Sequence, residues 1–360
     1  MPQETESGAP VEQLKQAIDS NDLDRVKALM LQNQELHSAP LGYGKSGPLT
    51  WVAECRVPWE PPGPARLAMA QWMIENGSDI HQGGDGPLAR AALNSDRIAM
   101  MELLVAHGAD VNAEWNGNFP IIFAPCETVD PVALKWLLDH GAQPNCARPG
   151  RKFPVAALDY VMGSYSRTPR LAACIDILLD AGAVTKYQVP SVLDMLRGGL
   201  DPLRERLDAD RALIHRRFPE LDFGGTGMRR LGLQGATLLH VAAEYGLLDA
   251  ARLLLDRGAD VNAPAEIDAA GVGGQTPLFH AVSQFGDYGL EVARLLLDRG
   301  ADLSIRVKIP GQHDQLNEFV ECTPLEYATR FPGRDERHAG RLQNAKTIAL
   351  LRERGASLLS

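Results

Sequence analysis

Apolar side chains recur along the chain at helical spacing, and each run ends at a glycine. The clearest run occupies positions i, i+3, i+4, i+7 and i+8, which are Leu247, Ala250, Ala251, Leu254 and Leu255. This spacing places all five on one face of an α-helix. Gly258 follows the run and is predicted to close the helix in the left-handed conformation.

The same stripe and glycine return at intervals. The glycines are Gly77, Gly108, Gly141, Gly182, Gly258, Gly300 and Gly355. Most of their spacings fit a unit of about 33 residues with insertions. The gap of 76 residues between Gly182 and Gly258 predicts one more unit, at about residues 191–220.

A shorter helix precedes each stripe. In residues 275–282, Thr276 and Pro277 are suited to the N-cap and first position of a helix. In residues 236–246, small alanines allow a neighbouring helix to pack closely. Each unit is therefore predicted to be a pair of helices joined by a turn.

These units resemble ankyrin repeats, whose pattern is Gly-x-Thr-Pro-Leu-His-x-Ala-Ala, a leucine-rich helix and Gly-Ala-Asp-Val-Asn-Ala. Residues 235–263 match almost throughout, and residues 274–302 and 84–113 match well. Phe119-Pro120 replaces Thr-Pro in a more divergent unit. The resemblance covers about residues 11–358. It implies an all-α fold, an ankyrin-repeat solenoid of about nine helix-turn-helix units with β-hairpin loops.

The end units and one inner unit have a capping character. Arg25 and Arg352 stand where inner units carry hydrophobic residues, as a polar cap requires. The unit near 191–220 aligns with the first unit at a constant offset of 177 and carries Arg206 in its stripe. We therefore predict one array over residues 1–189 and a second over 190–360. One alternative is a continuous solenoid that bends at residues 185–235, and another is a degenerate inner repeat that packs normally.

In the ankyrin fold, hairpin tips and first helices line a concave groove, so the resemblance implies that binding residues lie there. Trp115 is predicted on a hairpin tip, Trp51 in a first helix and Trp59 in a proline-rich insertion. Each could anchor a partner or pack against the protein itself. The predicted partner-binding residues are Trp51, Glu54, Trp59, Arg90, Trp115, Asn116, Asn118, Phe123, Glu127, Tyr160, Tyr245, His280, Arg306 and Lys308.

Two later hairpins are enlarged. Residues 264–274 are rich in alanine and glycine, and we expect them to be mobile. Residues 305–309 alternate apolar and basic side chains, and residues 318–321 can return as the partner strand. Pairing of Arg306 and Lys308 with Glu318 is favoured over an acidic-ligand site.

Little in the sequence points to catalysis. The chain has no phosphate-binding glycine loop, no HExxH, no GxSxG and no metal-type spacing of His and Cys. His240 occupies the structural histidine position of the family pattern. Glu54, Glu127 and Glu244 follow first helices and could act as acid and base, but a solvated acidic face is favoured. We predict no catalytic residue, metal or cofactor.

Charge and cysteine content narrow the partners and the compartment. A net charge of −10 disfavours nucleic acid and anionic membranes as partners. Five cysteines without a CxxC, and a polar start without a signal peptide, favour a cytoplasmic protein. An excess of arginine over lysine suggests a bacterial source. We expect a monomer.

The favoured function is a non-enzymatic scaffold that binds a protein partner through its groove and hairpin tips. The alternative is an enzyme or small-molecule binder with a pocket near Trp51, Trp115 and Phe123, beside Glu54 and Glu127. A third hypothesis, an inhibitor or immunity protein for a co-expressed enzyme or toxin, would use the same surface.

Overall fold

The computed structural model describes residues 8–146, 156–164, 167–225, 230–311, 318–329 and 344–355. Within these ranges the chain forms eighteen α-helices in nine successive pairs. The helices are α1 Gly8–Asp19, α2 Leu23–Gln32, α3 Pro48–Glu54, α4 Pro64–Glu75, α5 Gln82–Ala91, α6 Ile98–Ala106, α7 Phe123–Thr128, α8 Pro131–Asp139, α9 Ala157–Met162, α10 Leu171–Asp180, α11 Pro190–Leu196, α12 Leu200–Ala209, α13 Leu238–Glu244, α14 Leu248–Asp256, α15 Pro277–Val282, α16 Leu290–Asp298, α17 Pro324–Thr329 and α18 Ala345–Glu353. The fold is all-α, and the count of nine ankyrin units stays a prediction.

The chain divides into two compact units. Unit 1 comprises residues 1–161 and 177–184, and unit 2 comprises residues 162–176 and 185–360. The boundary passes through α9 and α10. The predicted arrays over 1–189 and 190–360 stay a prediction.

In each unit, helices pack in rows in which a helix contacts the one two places further along the chain. In unit 1, α3 contacts α5, while α2, α4 and α6 contact one another in order. In unit 2, α13, α15 and α17 form one row and α12, α14, α16 and α18 form another. The stripe residues Ala251 and Leu254 are fully buried between such rows, as their spacing predicts.

A capping box fixes the start of α13. The Thr237 backbone N–H donates to His240 Nδ1 at 3.1 Å, so this nitrogen is the unprotonated one. Nε2 then carries the proton and donates to the Gln275 carbonyl of the next repeat at 2.9 Å. Burial, and then the nearby His280, lower the pKa of His240 from 6.5 to about 3. His240 therefore joins two repeats as a neutral side chain, which confirms its structural role.

Glycines close the second helices, and asparagines link one repeat to the next. The seven glycines predicted to end stripes have φ between +79° and +109°, which confirms the left-handed closure. Among the described residues, an asparagine amide links successive repeats in three places. Asn112 Nδ2 donates to Gly141 O, Asn145 Nδ2 to Gly182 O, and Asn262 Nδ2 to Gly300 O, at 2.9–3.2 Å.

In the described part of the chain, two hairpins carry short antiparallel strands. In unit 1, β1 (Glu114–Trp115) pairs with β2 (Phe119–Pro120). In unit 2, β3 (Val307–Pro310) pairs with β4 (Phe319–Cys322). The predicted strand pair is therefore present, but its strands begin one or two residues later than predicted. The preceding hairpin joins this pair, because Gly273 N–H donates to Lys308 O at 2.8 Å.

The unit near 191–220 matches the first unit in its helix bounds. Each residue bound of α2 plus 177 gives the corresponding bound of α12. The C-cap residues have nearly the same backbone angles, φ −140° and ψ 92° at Asn33 against φ −136° and ψ 95° at Asp210. A short 3-10 helix follows each of them, at Gln34–Ser38 and Arg211–Ile214. The two units that align at the predicted offset of 177 therefore also share their local backbone conformation.

Candidate protein-binding surface

A buried carboxylate at the end of one first helix contacts the next first helix in both units. In unit 1, Arg90 Nη2 donates to Glu54 Oε1 at 2.5 Å. In unit 2, Glu244 Oε2 lies 2.8 Å from His280 Nδ1. Each pair spans 36 residues, and the two glutamate side chains are 2% and 0% exposed. The prediction of a solvated acidic face is therefore wrong for Glu54 and Glu244.

Glu244 belongs to a larger buried network. Its Oε1 lies 2.6 Å from Arg167 Nη2, and Gln284 Nε2 donates to Oε2 at 3.0 Å. The Arg167 guanidinium also lies 4.4 Å from the centre of the Tyr245 ring. A buried carboxylate requires such partners, because desolvation makes an unpaired charge costly. Tyr245 and His280 are themselves buried. Their predicted role as contact surface is therefore corrected to packing inside unit 2.

Trp115 lies against neighbouring segments rather than standing free on its tip. Its indole N–H donates to Ser46 Oγ at 3.2 Å, and the Arg90 guanidinium lies 5.4 Å from its ring centre. The side chain is half-buried. Of the two interpretations of Trp115, the structure favours packing, and the residue stays partly exposed.

The next aromatic side chains continue from Trp115. The Phe119 ring packs edge to face against both Trp115 and Phe123, with ring centres 6.0 Å apart in each pair. Phe123 then stacks on Tyr160, with ring centres 4.3 Å apart. Phe123 is buried, whereas Tyr160 is half-buried. The role of Phe123 as contact surface is corrected to core packing.

The three remaining notable side chains of unit 1 differ in exposure. Trp51 is buried and donates from Nε1 to Asp19 Oδ1 at 2.7 Å, so its predicted place in an open groove is wrong. Trp59 is 65% exposed and lies over the Arg97 guanidinium at 4.8 Å. Glu127 is half-buried. Burial lowers the pKa of Arg97. Its guanidinium forms a cation–π contact with the exposed Trp59 ring.

Four of the predicted partner-binding residues are exposed polar side chains on hairpins. Asn116 and Asn118 are exposed, and the Asn116 N–H donates to Gly83 O at 2.6 Å. Arg306 and Lys308 are also exposed. Arg306 Nη1 pairs with Glu326 Oε2 at 2.9 Å, and Lys308 Nζ lies 3.5 Å from Ala270 O. The predicted internal pairing of Arg306 is therefore present, but its carboxylate is Glu326 rather than Glu318.

Two exposed hydrophobic residues on the tips of unit 2 were absent from the sequence prediction. Ile267 is 62% exposed and Phe319 is 57% exposed. Ile267 lies in the hairpin predicted as mobile, and no repeat pattern applies there. The alternation of exposed and buried residues in β4 was a signal that could have identified Phe319.

The described ranges contain cavities but no cluster of metal ligands. No group of three or more His, Cys, Asp or Glu side chains in them could hold a metal ion. One cavity of about 440 Å³ lies beside the hairpins of unit 2, and smaller ones of about 260 and 220 Å³ lie elsewhere. The search for a membrane-spanning helix found none among the described residues.

Comparison with known proteins identifies the repeats. Residues 221–307 match the family model of ankyrin repeats in three copies. FPV022 of Fowlpox virus (strain NVSL), named as an ankyrin repeat protein, is 26% identical over 284 residues. The match covers 75% of this chain but only 44% of that protein, so the chain spans less than half of its relative. This relative is viral, and a bacterial source stays a prediction. With the glycine-closed helix pairs and the Thr237–His240 capping box, these matches support an ankyrin repeat protein and identify three ankyrin repeats in residues 221–307.

Proposed function

We propose that the protein is an interaction scaffold that binds a protein partner through its hairpin tips and the adjoining groove. Ankyrin repeats generally mediate protein–protein interaction. A preformed stack of helices loses little conformational entropy on docking, which favours binding by a surface of this kind.

One observation carries the proposal. In the described part of unit 2, the large hydrophobic side chains that stand exposed are Ile267 and Phe319, and both lie on hairpin tips. Large hydrophobic side chains exposed on neighbouring hairpins are typical of interaction sites. The backbones below them are joined by the Gly273–Lys308 hydrogen bond, so the tips are held in place before binding.

Quantitative affinity capture with the full chain tests the proposal. We expect Ile267→Ser with Phe319→Ser to reduce recovery of specific partners at least about tenfold, as loss of two apolar anchors would. Val132→Ser is the matched control, because Val132 is similarly exposed at 56% but lies in α8. Equal recovery by the double variant and the wild type would refute binding through these tips.

A further inference from the structure

The outer edge of β4 presents backbone groups that take no part in the hairpin. Facing residues of an antiparallel pair alternate between those that exchange two hydrogen bonds and those that exchange none. The Gly311 N–H donates to Glu318 O at 2.9 Å, so this pair is a bonded one. The next pair, Pro310 and Phe319, is therefore non-bonded, and the N–H and C=O of Phe319 point away from β3.

Two contacts support this orientation. Lys308 and Glu321 also form a non-bonded pair, and the Lys308 carbonyl accepts from the Gly273 N–H on the side of β3 that faces away from β4. The Glu321 carbonyl accepts from Arg306 Nη2 at 3.1 Å rather than from β3. Within the described ranges, no hydrogen bond reaches the Phe319 N–H, the Phe319 C=O or the Glu321 N–H, so these groups are available at the edge.

The side chains beside this edge are exposed. β4 alternates exposed and buried residues, and the exposed ones are Phe319 and Glu321. A row of facing residues runs across the sheet from Ile267 through Gly273 and Lys308 to Glu321. Proteins commonly shield edge strands with charges, proline or bulges, whereas this edge carries a large apolar ring. A strand added at β4 would continue the row at Glu321 and cover the exposed ring of Phe319.

The preceding hairpin is fixed against β3. Gly273 has φ +123°, and a Cβ there would lie 2.1 Å from the Glu266 carbonyl oxygen. Only glycine permits this approach, which leaves the Gly273 N–H bonded to Lys308 O. A strand that pairs with β4 therefore adds to a sheet that is already assembled, which lowers the entropy cost of pairing.

We propose that the outer edge of β4 receives an extended segment of the partner protein as an additional antiparallel strand. In this mode of recognition, backbone hydrogen bonds supply affinity and alternate side chains supply specificity. The antiparallel direction matches the other pairings of this sheet, which are all antiparallel among the described residues. The inference rests on the proposed function, because it names the conformation that a partner would bring to the tips.

The register of β4 defines the chemistry of that segment. The residue opposite Phe319 would exchange two hydrogen bonds with it and pack on its ring, which suits a β-branched or aromatic side chain. The residue two places earlier in the segment would lie opposite Glu321, whose side chain is 71% exposed, and there a lysine or arginine fits. Glu321 O can accept from this residue and keep Arg306, because a carbonyl has two lone pairs.

Titration of the full chain with N-methylated peptides tests the inference. The probe is acetylated, amidated Ser-Lys-Thr-Val-Ser, and binding is followed by the backbone amide NMR signals of Phe319 and Glu321. The valine N–H should face β4 and the threonine N–H should face away from it. We expect N-methylation of the valine to weaken binding at least about tenfold, because a hydrogen bond is lost and a methyl group is placed against the edge. N-methylation of the threonine is the matched control and should change binding little.

Two variants at one position separate the ring from the backbone. Phe319→Ala and Phe319→Pro both remove the ring, but only the proline also removes the outward N–H. Proline is tolerated where the N–H of an edge strand faces solvent, so the hairpin should persist, and thermal unfolding checks this. Phe319→Pro should bind the peptide at least about threefold more weakly than Phe319→Ala, as loss of one hydrogen bond predicts.

A charge exchange tests the register. The peptide with glutamate in place of lysine should bind the natural chain more weakly, because two carboxylates would then face each other. Glu321→Lys should reverse this preference. A Glu321→Lys variant that still prefers the lysine peptide would contradict the inference.

Equal effects of the two N-methyl groups, equal binding by Phe319→Ala and Phe319→Pro, or no shift of the Phe319 and Glu321 signals at about 10 mM peptide would overturn the inference. Its failure is distinguishable from that of the proposed function. If partner capture depends on Ile267 and Phe319 while both N-methylated peptides bind equally, the scaffold function stands and strand pairing fails. If N-methylation of the valine abolishes peptide binding but the tip variants capture partners normally, β4 accepts a strand and the proposed function through these tips fails.

Discussion

Arg167 and Glu244 form a 2.6 Å ion pair across 77 residues of sequence, with side chains 4% and 0% exposed. The pair joins the segment before α10 to the end of α13 within unit 2. His280 and Gln284 contact the other oxygen of Glu244, so at least three of the described side chains surround this buried carboxylate. Stability of unit 2 should therefore depend strongly on Arg167.

Replacing Arg167 by Met should lower the free energy of unfolding by about 3 kcal/mol, because Glu244 then keeps its burial but loses its cation. Urea unfolding of the full chain measures this loss. Arg197→Met is the control: Arg197 pairs with Asp176 at 2.6 Å, but both side chains are over 40% exposed. That surface pair should contribute less than about 1 kcal/mol. Similar losses in both variants would contradict the buried network.

Stability should also depend on the protonation of His240. Its pKa is about 3 in the folded protein against 6.5 for an ordinary histidine, so the unfolded chain takes up the proton first. The contribution is complete above about pH 6.5 and is lost at about 1.4 kcal/mol per pH unit as the pH falls toward 3. Unfolding free energies at several pH values should show a smaller slope between pH 6.5 and 5 in His240→Gln. An unchanged slope would mean that His240 titrates normally.

Truncation of Trp51 should destabilise the protein much more than truncation of Trp59. Trp51→Ala should lower the free energy of unfolding by about 3–5 kcal/mol, because a buried ring and its bond to Asp19 are lost. Trp59→Ala should cost less than about 1 kcal/mol, since most of that ring faces solvent. Thermal or urea unfolding checks both, and comparable costs would show that Trp59 is more buried than described.

The approach of Gly273 to Glu266 can be tested against a nearby glycine. Gly271 also has positive φ, +74°, but a Cβ there meets nothing within 4 Å. Gly271→Ala should therefore cost about 1–2 kcal/mol, from the left-handed backbone alone. Gly273→Ala should cost more, because its Cβ would clash with a backbone oxygen. Equal unfolding free energies of the two variants would exclude the clash.

The repeat pattern identified the parts of the fold that reuse one local geometry. The stripe spacing located the second helices, the glycines located their ends, and the offset of 177 located α12. Binding residues were less predictable because exposure depends on neighbouring repeats. Trp51 and Glu54 lie in a first helix that the ankyrin resemblance assigns to the groove, yet partners from other segments cover them.

Arg167 shows a different limit of sequence reasoning. It falls in the stretch near residues 154–182, which can be aligned with the repeat in two ways, so the repeat pattern gives Arg167 no defined position. Nothing local marks this arginine as the partner of a carboxylate 77 residues away. Ile267 and Gln275 lie in or beside a hairpin whose conformation depends on the next hairpin, through the bond between Gly273 and Lys308.

The spacing of 36 residues shared by Glu54–Arg90 and Glu244–His280 bears on how freely repeats can be exchanged. Each carboxylate needs a hydrogen-bond donor at one defined position in the first helix of the next repeat. A consensus repeat with an apolar side chain there would fit the backbone and still leave a buried charge without its partner. These two pairs therefore give the repeats of Glu54 and Glu244 a preferred neighbour, and they make the order of those repeats part of what the sequence encodes.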